Sequence, residues 1–363
     1  MNLFPDLEKA YTKETRSARE AQRLAEFIAF GPVVYQTSRL MVKFGILERL
    51  RDREMTLEEI AAESGLSLYA AKVLMEASLT IGTVLINTTT DQYSLSKVGW
   101  FLLTDMATRV NIDFNHDVNY EGFFRMEESL LEGRPAGLEH FGPWSTIYEG
   151  LSLLPADVQK SWFGFDHFYS DYSFSLALPI VFEKHPKRIM DVGGNTGRFA
   201  QRCVAHDPEV DVTIVDLPQQ IALMKKATAD DPHVARIHGY GINLLDSASQ
   251  FPSDVHPDVI WMSQFLDCFA EEHIRSILQK AAGIMTADTR LMIMETLWDR
   301  QKYEPAAFCL TMTSLYFTVM ANGNSKMYHS DDLIRLIGEA GLRVEAIHDG
   351  LGQGHSILVC MKR

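Results

Sequence analysis

The spacing of hydrophobic residues changes once along the chain. Up to about residue 180, apolar residues recur at the spacing of amphipathic helices. From about residue 187, short apolar runs alternate with helical stretches. The change predicts an all-α N-terminal region followed by an α/β region built on a mostly parallel sheet.

The N-terminal pattern predicts a winged helix-turn-helix. Residues 21–52 predict two amphipathic helices around a Gly-Pro pair, and residues 56–84 predict a helix, a turn at Gly65 and a second helix. Residues 91–103 predict a short strand pair. Such a module is compatible with DNA binding or with packing and dimerisation.

The candidate recognition helix does not favour DNA binding. Its sequence, SLYAAKVLMEAS at 67–78, has one lysine and no arginine, asparagine or glutamine to contact base edges. The helix before it is acidic, and the formal net charge of the chain is −14, which opposes binding to phosphates. A packing or dimerisation module is therefore favoured over a DNA-binding regulator, and no nucleic-acid partner is expected.

Seven apolar runs predict the strands of the α/β region. Helical stretches separate the first six, which indicates parallel connections. The last two runs are joined only by GLGQG at 350–354, which is too short for a parallel crossover. The runs lie at residues 188–193, 211–217, 235–241, 257–265, 289–297, 343–349 and 354–362. The predicted fold is a Rossmann-like, seven-stranded α/β sheet with an antiparallel last strand.

Length and composition are those of a globular protein with two cores. The chain has 363 residues, of which 46% are hydrophobic and 23% charged. No apolar run reaches the roughly 18 residues of a membrane span, and the charged N-terminus lacks the apolar block of a signal peptide. The four cysteines show no CxxC spacing, so free thiols in the cytoplasm are expected and a metal site is not.

A glycine-rich turn follows the first strand of the predicted sheet. DVGGNTGRFA starts at Asp191, and its helix is expected to begin at about Thr196. The turn lacks the GxGxxG spacing of dinucleotide sites, because positions 195 and 198 are Asn and Arg. Asp216 ends the second strand, where a carboxylate suits the two hydroxyls of a ribose. The glycine-rich turn, the acid at the end of the second strand and the antiparallel last strand together point to S-adenosylmethionine (SAM) rather than NAD as the ligand. The alternative is that the turn is rich in glycine for structural reasons and binds no ligand.

Four motifs together resemble a known family. DVGGNTG, DLP at 216–218, NLLD at 243–246 and FLDCFAEEH at 265–273 are similar to the successive motifs of the class I SAM-dependent O-methyltransferases. The nearest group is that of caffeate, acetylserotonin and hydroxyneurosporene O-methyltransferases. The resemblance implies a winged-helix dimerisation domain over 1–105, a linker with substrate-pocket helices over 106–180 and a SAM-binding domain over 181–363. It also implies a homodimer.

The resemblance implies a set of cofactor contacts. Gly193 should lie against the methionine part of SAM, Asp216 should hold the ribose, and Asn243 with Leu244 should border the adenine. Ser263 stands where many relatives have a lysine, and Ser173 is placed within reach of the cofactor. The implied cofactor-binding set is Asp191, Gly193, Gly194, Asn195, Gly197, Asp216, Leu217, Asn243, Leu244, Ser263 and Ser173.

The family's general base is changed in this chain. Relatives carry a histidine in the motif LHDW, and Asp267 occupies that position here. Glu295 matches the carboxylate that orients the histidine, whereas Met327 replaces a second family carboxylate. His116 and His329 lie in segments that could reach the pocket and supply an imidazole instead. The candidate catalytic residues are Asp267, Glu295 and His116.

Several interpretations of Asp267 stay open at this point. Asp267 would deprotonate a phenol if its own pKa were raised or if the acceptor hydroxyl were acidified. An acceptor that is already ionised, such as a carboxylate, would need no base. Asp267 would also serve as the N-cap of a helix beginning near Ala270. Cys268 is expected to be a small buried residue rather than a nucleophile.

The expected substrate is a small molecule held among apolar side chains. The implied substrate contacts are Phe165, Tyr169, Met327 and position 318, which is Thr318 in this chain. Position 318 lies within the Met- and Phe-rich stretch 308–323. The favoured function is methyl transfer to a hydroxyl or carboxyl of a small aromatic or polyene-type secondary metabolite. The alternative is a SAM-binding relative that has lost methyl transfer and acts like a hydroxylase or decarboxylase.

Overall fold

The computed structural model describes residues 3–363, apart from the side chains of residues 170 and 171. The described chain separates into two units: Glu14–Asp117 forms one, and Val118–Arg363 forms the other together with the residues up to Lys13. The predicted boundaries at residues 105 and 180 remain predictions.

The first helix, α1 (Pro5–Thr12), belongs to the second unit. Its Leu7 is fully buried. The amide of Phe4, just before the helix, donates a hydrogen bond to the carbonyl oxygen of Asp299. The ring of Phe4 also lies 4.9 Å from the guanidinium carbon of Arg300. The N-terminal helix is therefore anchored to the C-terminal half of the chain.

The unit Glu14–Asp117 has the helices and the strand pair of a winged helix-turn-helix. Thr56 caps the first helix of the central pair with a capping box, and Gly65 ends that helix in the left-handed region at φ 69°. The elements are α2 (Ala18–Ala29), α3 (Gly31–Lys43), α4 (Ile46–Asp52), α5 (Leu57–Ser64), α6 (Leu68–Ile81), β1 (Val84–Asn87), β2 (Gln92–Leu95), α7 (Lys97–Thr104) and α8 (Met106–Phe114). The predicted helix–turn–helix at α5 and α6 is found.

Two details of the N-terminal prediction were wrong. Residues 21–52 form three helices rather than two, because Gly45 adopts φ 68° and separates α3 from α4. The strand pair lies at β1 and β2, earlier than expected, because the side chain of Ser96 caps the helix that begins at Lys97. The apolar residues after Ser96 are therefore helical.

The second unit is built on a sheet of seven strands within the described residues, in the order β5-β4-β3-β6-β7-β9-β8. The last strand pairs antiparallel with both of its neighbours, and the other described neighbours pair parallel. The strands are β3 (Arg188–Val192), β4 (Asp211–Asp216), β5 (Ile237–Gly241), β6 (Val259–Ser263), β7 (Arg290–Glu295), β8 (Leu342–Leu351) and β9 (His355–Lys362). The predicted fold and the antiparallel last strand are confirmed.

Helices cover both faces of this sheet. The central strands are almost wholly buried, as their continuous apolar runs require. The helices are α9 (Met126–Glu132), α10 (Ile147–Gly150), α11 (Ala156–Val181), α12 (Arg198–His206), α13 (Pro218–Ala227), α14 (Glu271–Ile284), α15 (Glu304–Tyr316) and α16 (Ser330–Glu339). One face packs against α14 and α16 and the other against α11, α12 and α13. The carboxyl ends of β3, β4, β6 and β7 thus meet along one edge.

Candidate active site

The turn after β3 uses left-handed backbone at three positions. Gly193 has φ 75°, Asn195 φ 49° and Gly197 φ 83°. Glycine reaches this region without strain, and asparagine tolerates it better than most residues. Gly197 is the N-cap of α12, which starts at Arg198, two residues later than expected at Thr196.

Side chains of the protein fill the space beside Gly193 and Gly194. A Cβ on Gly193 would lie 2.3 Å from the ring of Phe265, and one on Gly194 would lie 2.6 Å from the Asp191 carboxyl. Packing within the protein is therefore enough to require glycine at both positions, whether or not a ligand binds there. That they also admit a ligand remains a prediction.

Asp216 at the end of β4 is held rigidly by the backbone. One oxygen accepts from the Asn195 amide at 2.9 Å, and the other accepts from the Leu217 amide at 2.7 Å. Burial raises the pKa of Asp216, and the two backbone hydrogen bonds oppose that rise. Each oxygen keeps lone-pair capacity, which fits two adjacent hydroxyls of a ribose.

Buried polar groups without protein partners lie at the ends of β3 and β6. Among the described residues, Asp191 Oδ2, Ser263 Oγ and Gln264 Oε1 have no hydrogen-bond partner. Burial, and then the charge of Asp216, raise the pKa of Asp191 to about 8. Unsatisfied buried groups are costly, so their concentration here favours a polar ligand. The donor and acceptor set fits SAM, whose amino-acid end and ribose are both polar.

Three other predicted cofactor residues make contacts within the protein. Asn243 is exposed, and its side-chain oxygen accepts from the Leu245 amide at 3.0 Å. Leu244 is buried in the apolar core. The Ser173 hydroxyl lies 2.7 Å from His355 Nδ1 rather than in a described contact with the glycine turn. Their part in cofactor binding remains a prediction.

Asp267 lies in a short 3₁₀ turn, Leu266–Cys268, after β6. Its side chain is buried, with 6% of the residue exposed. The next helix, α14, has Ala270 as its N-cap and no side-chain cap hydrogen bond. The hypothesis that Asp267 is only a helix cap is therefore wrong, and its burial needs another reason.

Glu295 ends β7 and is buried, with 3% of the residue exposed. Its Oε1 accepts from the amides of Phe265 at 3.1 Å and Leu266 at 2.8 Å. Its Oε2 has no hydrogen-bond partner among the described residues. Glu295 thus fixes the backbone leading into Asp267.

The two carboxyl groups titrate as a pair. Burial, and then the charge of Asp267, raise the pKa of Glu295 well above its usual range. Burial raises the pKa of Asp267 to about 7, although the Cys268 thiol, 3.5 Å from Asp267 Oδ1, opposes the rise. The charge of Asp166 raises it further. Because like charges this close resist joint ionisation, the pair holds a proton near neutral pH.

Aromatic side chains that the sequence did not single out surround Asp267. Tyr148, from α10, shares a hydrogen bond with the Cys268 thiol. Trp162 Nε1, from α11, donates to the Tyr316 hydroxyl at 2.7 Å. Cys268 is partly exposed rather than buried, although burial still raises its pKa, as an unreactive thiol requires. No sequence motif marks these tyrosines and the tryptophan, because they come from separate helices.

Asp166 was also missed, one residue from a predicted substrate contact. It lies on α11, and its charge acts on both Asp267 and Tyr316. Met327, at the place of the second family carboxylate, is buried with its sulfur 3.4 Å from the Thr296 hydroxyl. The described acid whose charge acts on Asp267 thus comes from α11 and not from the stretch after α15.

Two family profiles match this architecture. A profile described as an O-methyltransferase domain matches residues 180–343. A profile described as a Dimerisation2-like domain matches residues 22–93. The second unit therefore contains an O-methyltransferase domain.

The individual relatives of this chain are distant. The O-methyltransferase SfmM3 of Streptomyces lavendulae is 23% identical over 181 residues, which span 49% of this chain and about half, 52%, of that protein. Demethylspheroidene O-methyltransferase of Rhodobacter capsulatus is 24% identical over 89% of this chain and 77% of that protein. The crystal structure of the S-adenosylmethionine-dependent methyltransferase SibL has a TM-score of 0.70 and 20% identity, over 93% of this chain and 98% of that one, which shows a shared fold.

The match to an O-methyltransferase domain supports the predicted enzyme class, a SAM-dependent O-methyltransferase, and SAM as its cofactor. None of the helices in the described part of the chain is long and apolar enough to cross a membrane. The residue assignments remain predictions.

The two histidines considered as replacement bases have other described contacts in the structure. His116 belongs to the unit Glu14–Asp117, where its Nδ1 lies 2.7 Å from the carboxylate of Asp117. His329 is the N-cap of α16 and accepts from the Asp331 amide at 3.0 Å. His329 thus has a structural role, and a catalytic role for His116 remains a prediction.

The predicted substrate contacts lie in three places of the second unit. The rings of Phe165 and Tyr169 are 4.9 Å apart on α11. The Thr318 hydroxyl donates to the Ser314 carbonyl oxygen at 3.0 Å, and the Met327 amide donates to the Ser314 hydroxyl at 3.1 Å. Ser314 thus contacts both Thr318 and Met327. Contact with a substrate remains a prediction for Phe165, Tyr169, Thr318 and Met327.

Proposed function

We propose that the enzyme transfers a methyl group to a hydroxyl of a small aromatic or polyene-type secondary metabolite, with Asp267 as general base. The observation that carries this proposal is the buried Asp267–Glu295 pair at the position of the family histidine. One relative is named for O-methylation of demethylspheroidene, which supports a small-molecule acceptor.

The cofactor contacts follow from the polar groups along the sheet edge. Asp216 would accept hydrogen bonds from the ribose hydroxyls, and Asp191 with Ser263 would meet the amino-acid end. Asn243 and Leu244 would border the adenine. When bound, SAM supplies an electrophilic methyl group on a sulfonium sulfur.

Asp267 would accept the proton of the acceptor hydroxyl as the new C–O bond forms. The S–C bond breaks in the same step, which leaves S-adenosylhomocysteine and a methyl ether. A phenol has a pKa of about 10, so raising the aspartate from about 4 to about 7 halves the mismatch from roughly 8 to roughly 4 kcal/mol. The remaining mismatch favours acceptors with acidified hydroxyls, such as catechols or acyl-phenols.

Glu295 would act on the geometry of the base rather than on the acceptor. Its two backbone hydrogen bonds hold the Phe265–Leu266 amides, and with them the start of the 3₁₀ turn. Burial and the charge of Asp267 in turn raise the pKa of Glu295, so the pair keeps a proton near neutral pH. Alignment of the acceptor with the methyl group then supplies much of the rate.

A second candidate function is favoured by the same substitution. Because no imidazole stands at position 267, the alternative is a protein that binds SAM and catalyses a hydroxylase-like or decarboxylase-like reaction instead of methyl transfer. Mass analysis of the product distinguishes the two, since only methyl transfer adds a methyl group.

A homodimer through α2 forms part of the proposal. Leu24, Phe27 and Ile28 recur at helical spacing, and all three are exposed. No residue of α2 is buried within the described chain. The match to a Dimerisation2-like domain supports a second copy as the occupant of this face. A cytoplasmic location remains an expectation.

The test of the proposed function is a mass-spectrometric assay. Purified enzyme is incubated with SAM and a panel of catechols, acyl-phenols and aromatic carboxylates, and each product is analysed for a gain of one methyl group. Formation of S-adenosylhomocysteine together with a methylated product is expected. An acceptor changed without methyl gain would instead establish the second candidate function. Asp288→Asn, at an exposed loop, is the matched control for Asp267→Asn.

A further inference from the structure

The backbone around Asp267 is held by side chains on both sides of that residue. Glu295 accepts hydrogen bonds from two backbone amides just before Asp267, at 3.1 and 2.8 Å. Just after it, the carbonyl oxygens of Cys268 and Phe269 each accept a hydrogen bond from a side chain. The mechanism above uses Glu295 but gives the two donors that follow Asp267 no role.

These two donors come from the segment between α15 and α16. Asn322 Nδ2 donates to the Cys268 carbonyl oxygen at 2.7 Å, and the Tyr328 hydroxyl donates to the Phe269 carbonyl oxygen, also at 2.7 Å. Tyr328 is buried and packs in the apolar core, which limits the access of water to its hydroxyl. The segment is therefore joined to the backbone at two consecutive residues.

The orientation of the Asn322 amide is set by its own loop. Its Oδ1 accepts from the backbone amides of Asn324 and Ser325, both at 3.2 Å, and from the Ser325 hydroxyl at 2.9 Å. Exchanging the oxygen and the nitrogen would place the NH₂ group against two N–H donors, so one orientation satisfies all of these groups. Nδ2 is therefore directed at the turn that carries Asp267.

The turn itself has weak internal support. It is a 3₁₀ turn of three residues. Its internal hydrogen bonds are long: 3.3 Å from the Cys268 amide to the Phe265 carbonyl oxygen, and 3.1 Å from the Phe269 amide to the Leu266 carbonyl oxygen. A general base has to lie within hydrogen-bonding distance of the acceptor hydroxyl when the methyl group is in line. Support from other elements therefore determines where the Asp267 carboxyl lies.

We propose that Asn322 and Tyr328 are positioning residues, which hold the Asp267 carboxyl at the acceptor hydroxyl by binding the two carbonyl groups that follow it. The inference rests on the proposed function, since it assumes that Asp267 is the base. Loss of either donor leaves a backbone carbonyl without its partner and loosens the turn, so the carboxyl spends less time at the reacting position. Binding of SAM at the ends of β3 and β4 should not change.

The first measurement is hydrogen exchange of the turn, which needs no acceptor. Mass spectrometry follows the amides of residues 264–270 in the wild type, Tyr328→Phe and Asn322→Asp. Each substitution removes one donor and keeps the shape of the side chain, and exchange is expected to be roughly 10-fold faster. Tyr303→Phe and Asn324→Asp change exposed side chains in the same way and should exchange as the wild type does.

The second measurement is a mutant cycle with the base. With the panel acceptor that gains a methyl group fastest, Tyr328→Phe should lower kcat roughly 10-fold and leave the KM for SAM unchanged. Added to Asp267→Asn, the same substitution should lower kcat by less than about 2-fold, because no base is left to position. A purely structural role would lower kcat by the same factor in both backgrounds.

The outcomes separate the inference from the proposed function. Binding of S-adenosylhomocysteine by each variant shows that its site is folded. If Asp267→Asn is impaired, then unchanged exchange in both loop variants, an unchanged kcat, or the same loss of kcat in both backgrounds overturns the inference alone. If the wild type adds no methyl group to any acceptor, or Asp267→Asn is as active as the wild type, the proposed function is overturned and the inference with it.

Discussion

Asp267 and Glu295 occupy one buried site at the ends of β6 and β7. The fold supplies backbone amides to Glu295, and burial together with like charge raises the pKa of both groups. A carboxyl group with a pKa of about 7 exchanges protons at physiological pH, which an ordinary aspartate does not. Burial and neighbouring charge thus give Asp267 a pKa near neutrality, which an exposed aspartate does not have.

The first prediction at this scale concerns pH. If Asp267 is the base, kcat/KM should fall as pH falls through about 7, because protonation of the pair removes the base. Asp267→Asn should lower kcat by roughly 10²- to 10⁴-fold and abolish that limb of the profile. Initial rates from pH 5.5 to 9 measure both effects, and a profile unchanged by the substitution contradicts the assignment.

The same group makes stability depend on pH. Because the pKa of Asp267 is raised in the folded protein, its contribution to stability is complete below the pKa of the unfolded chain and is lost as pH rises through about 7. Asp267→Asn removes this loss, so the variant should be at least as stable as the wild type at pH 8. Urea unfolding at pH 6 and pH 8 provides the check.

The turn between β3 and α12 shows how an element depends on single backbone positions. Gly193→Ala should lower the free energy of unfolding by about 1–3 kcal/mol, because alanine is strained in left-handed backbone. Its Cβ would also collide with the ring of Phe265. Urea unfolding and SAM titration measure the loss of stability and the expected loss of affinity.

Gly283→Ala is the control for that substitution. Gly283 lies inside α14, and a Cβ there meets no atom within 4 Å. Alanine should therefore stabilise the helix by about 0.5–1 kcal/mol. If Gly193→Ala were as stable as Gly283→Ala, the turn would not need glycine.

At the level of elements, the sequence predicts strands better than it predicts the joins between helices. The strands of the sheet follow from continuous apolar runs, because burial on both faces permits little else. The α3–α4 break was missed because the apolar spacing continues across Gly45, although glycine at a helix end was the available signal. The start of α7 was missed because Ser96 was included in a strand rather than recognised as a cap.

At the level of the whole molecule, sequence order locates candidate site residues only where they lie at the ends of strands. Asp191 is the penultimate residue of β3, and Asp216 and Glu295 end β4 and β7, so sequence order alone places them along one edge of the sheet. Tyr148, Trp162 and Asp166 come from α10 and α11, whose positions depend on tertiary packing. Helical periodicity shows which face of a helix is apolar but not which residue of another element it meets.

Association of two copies is the prediction that belongs to the whole molecule. The double substitution Phe27→Ser and Ile28→Ser should convert a dimer to a monomer, because it removes apolar area from the exposed face of α2. Light scattering coupled to size-exclusion chromatography measures the mass. Arg19→Ser, also exposed on α2, should leave the dimer intact. A wild-type monomer at micromolar concentration contradicts the proposed assembly.

The anchoring of α1 has a consequence for how the protein is made. Tyr11 and Glu304, whose side chains meet across this contact, are 293 residues apart. Because synthesis proceeds from the N-terminus, α1 waits for its docking surface until Glu304 has been synthesised. During that interval Leu7, which is buried in the folded protein, is available to chaperones that bind short apolar segments.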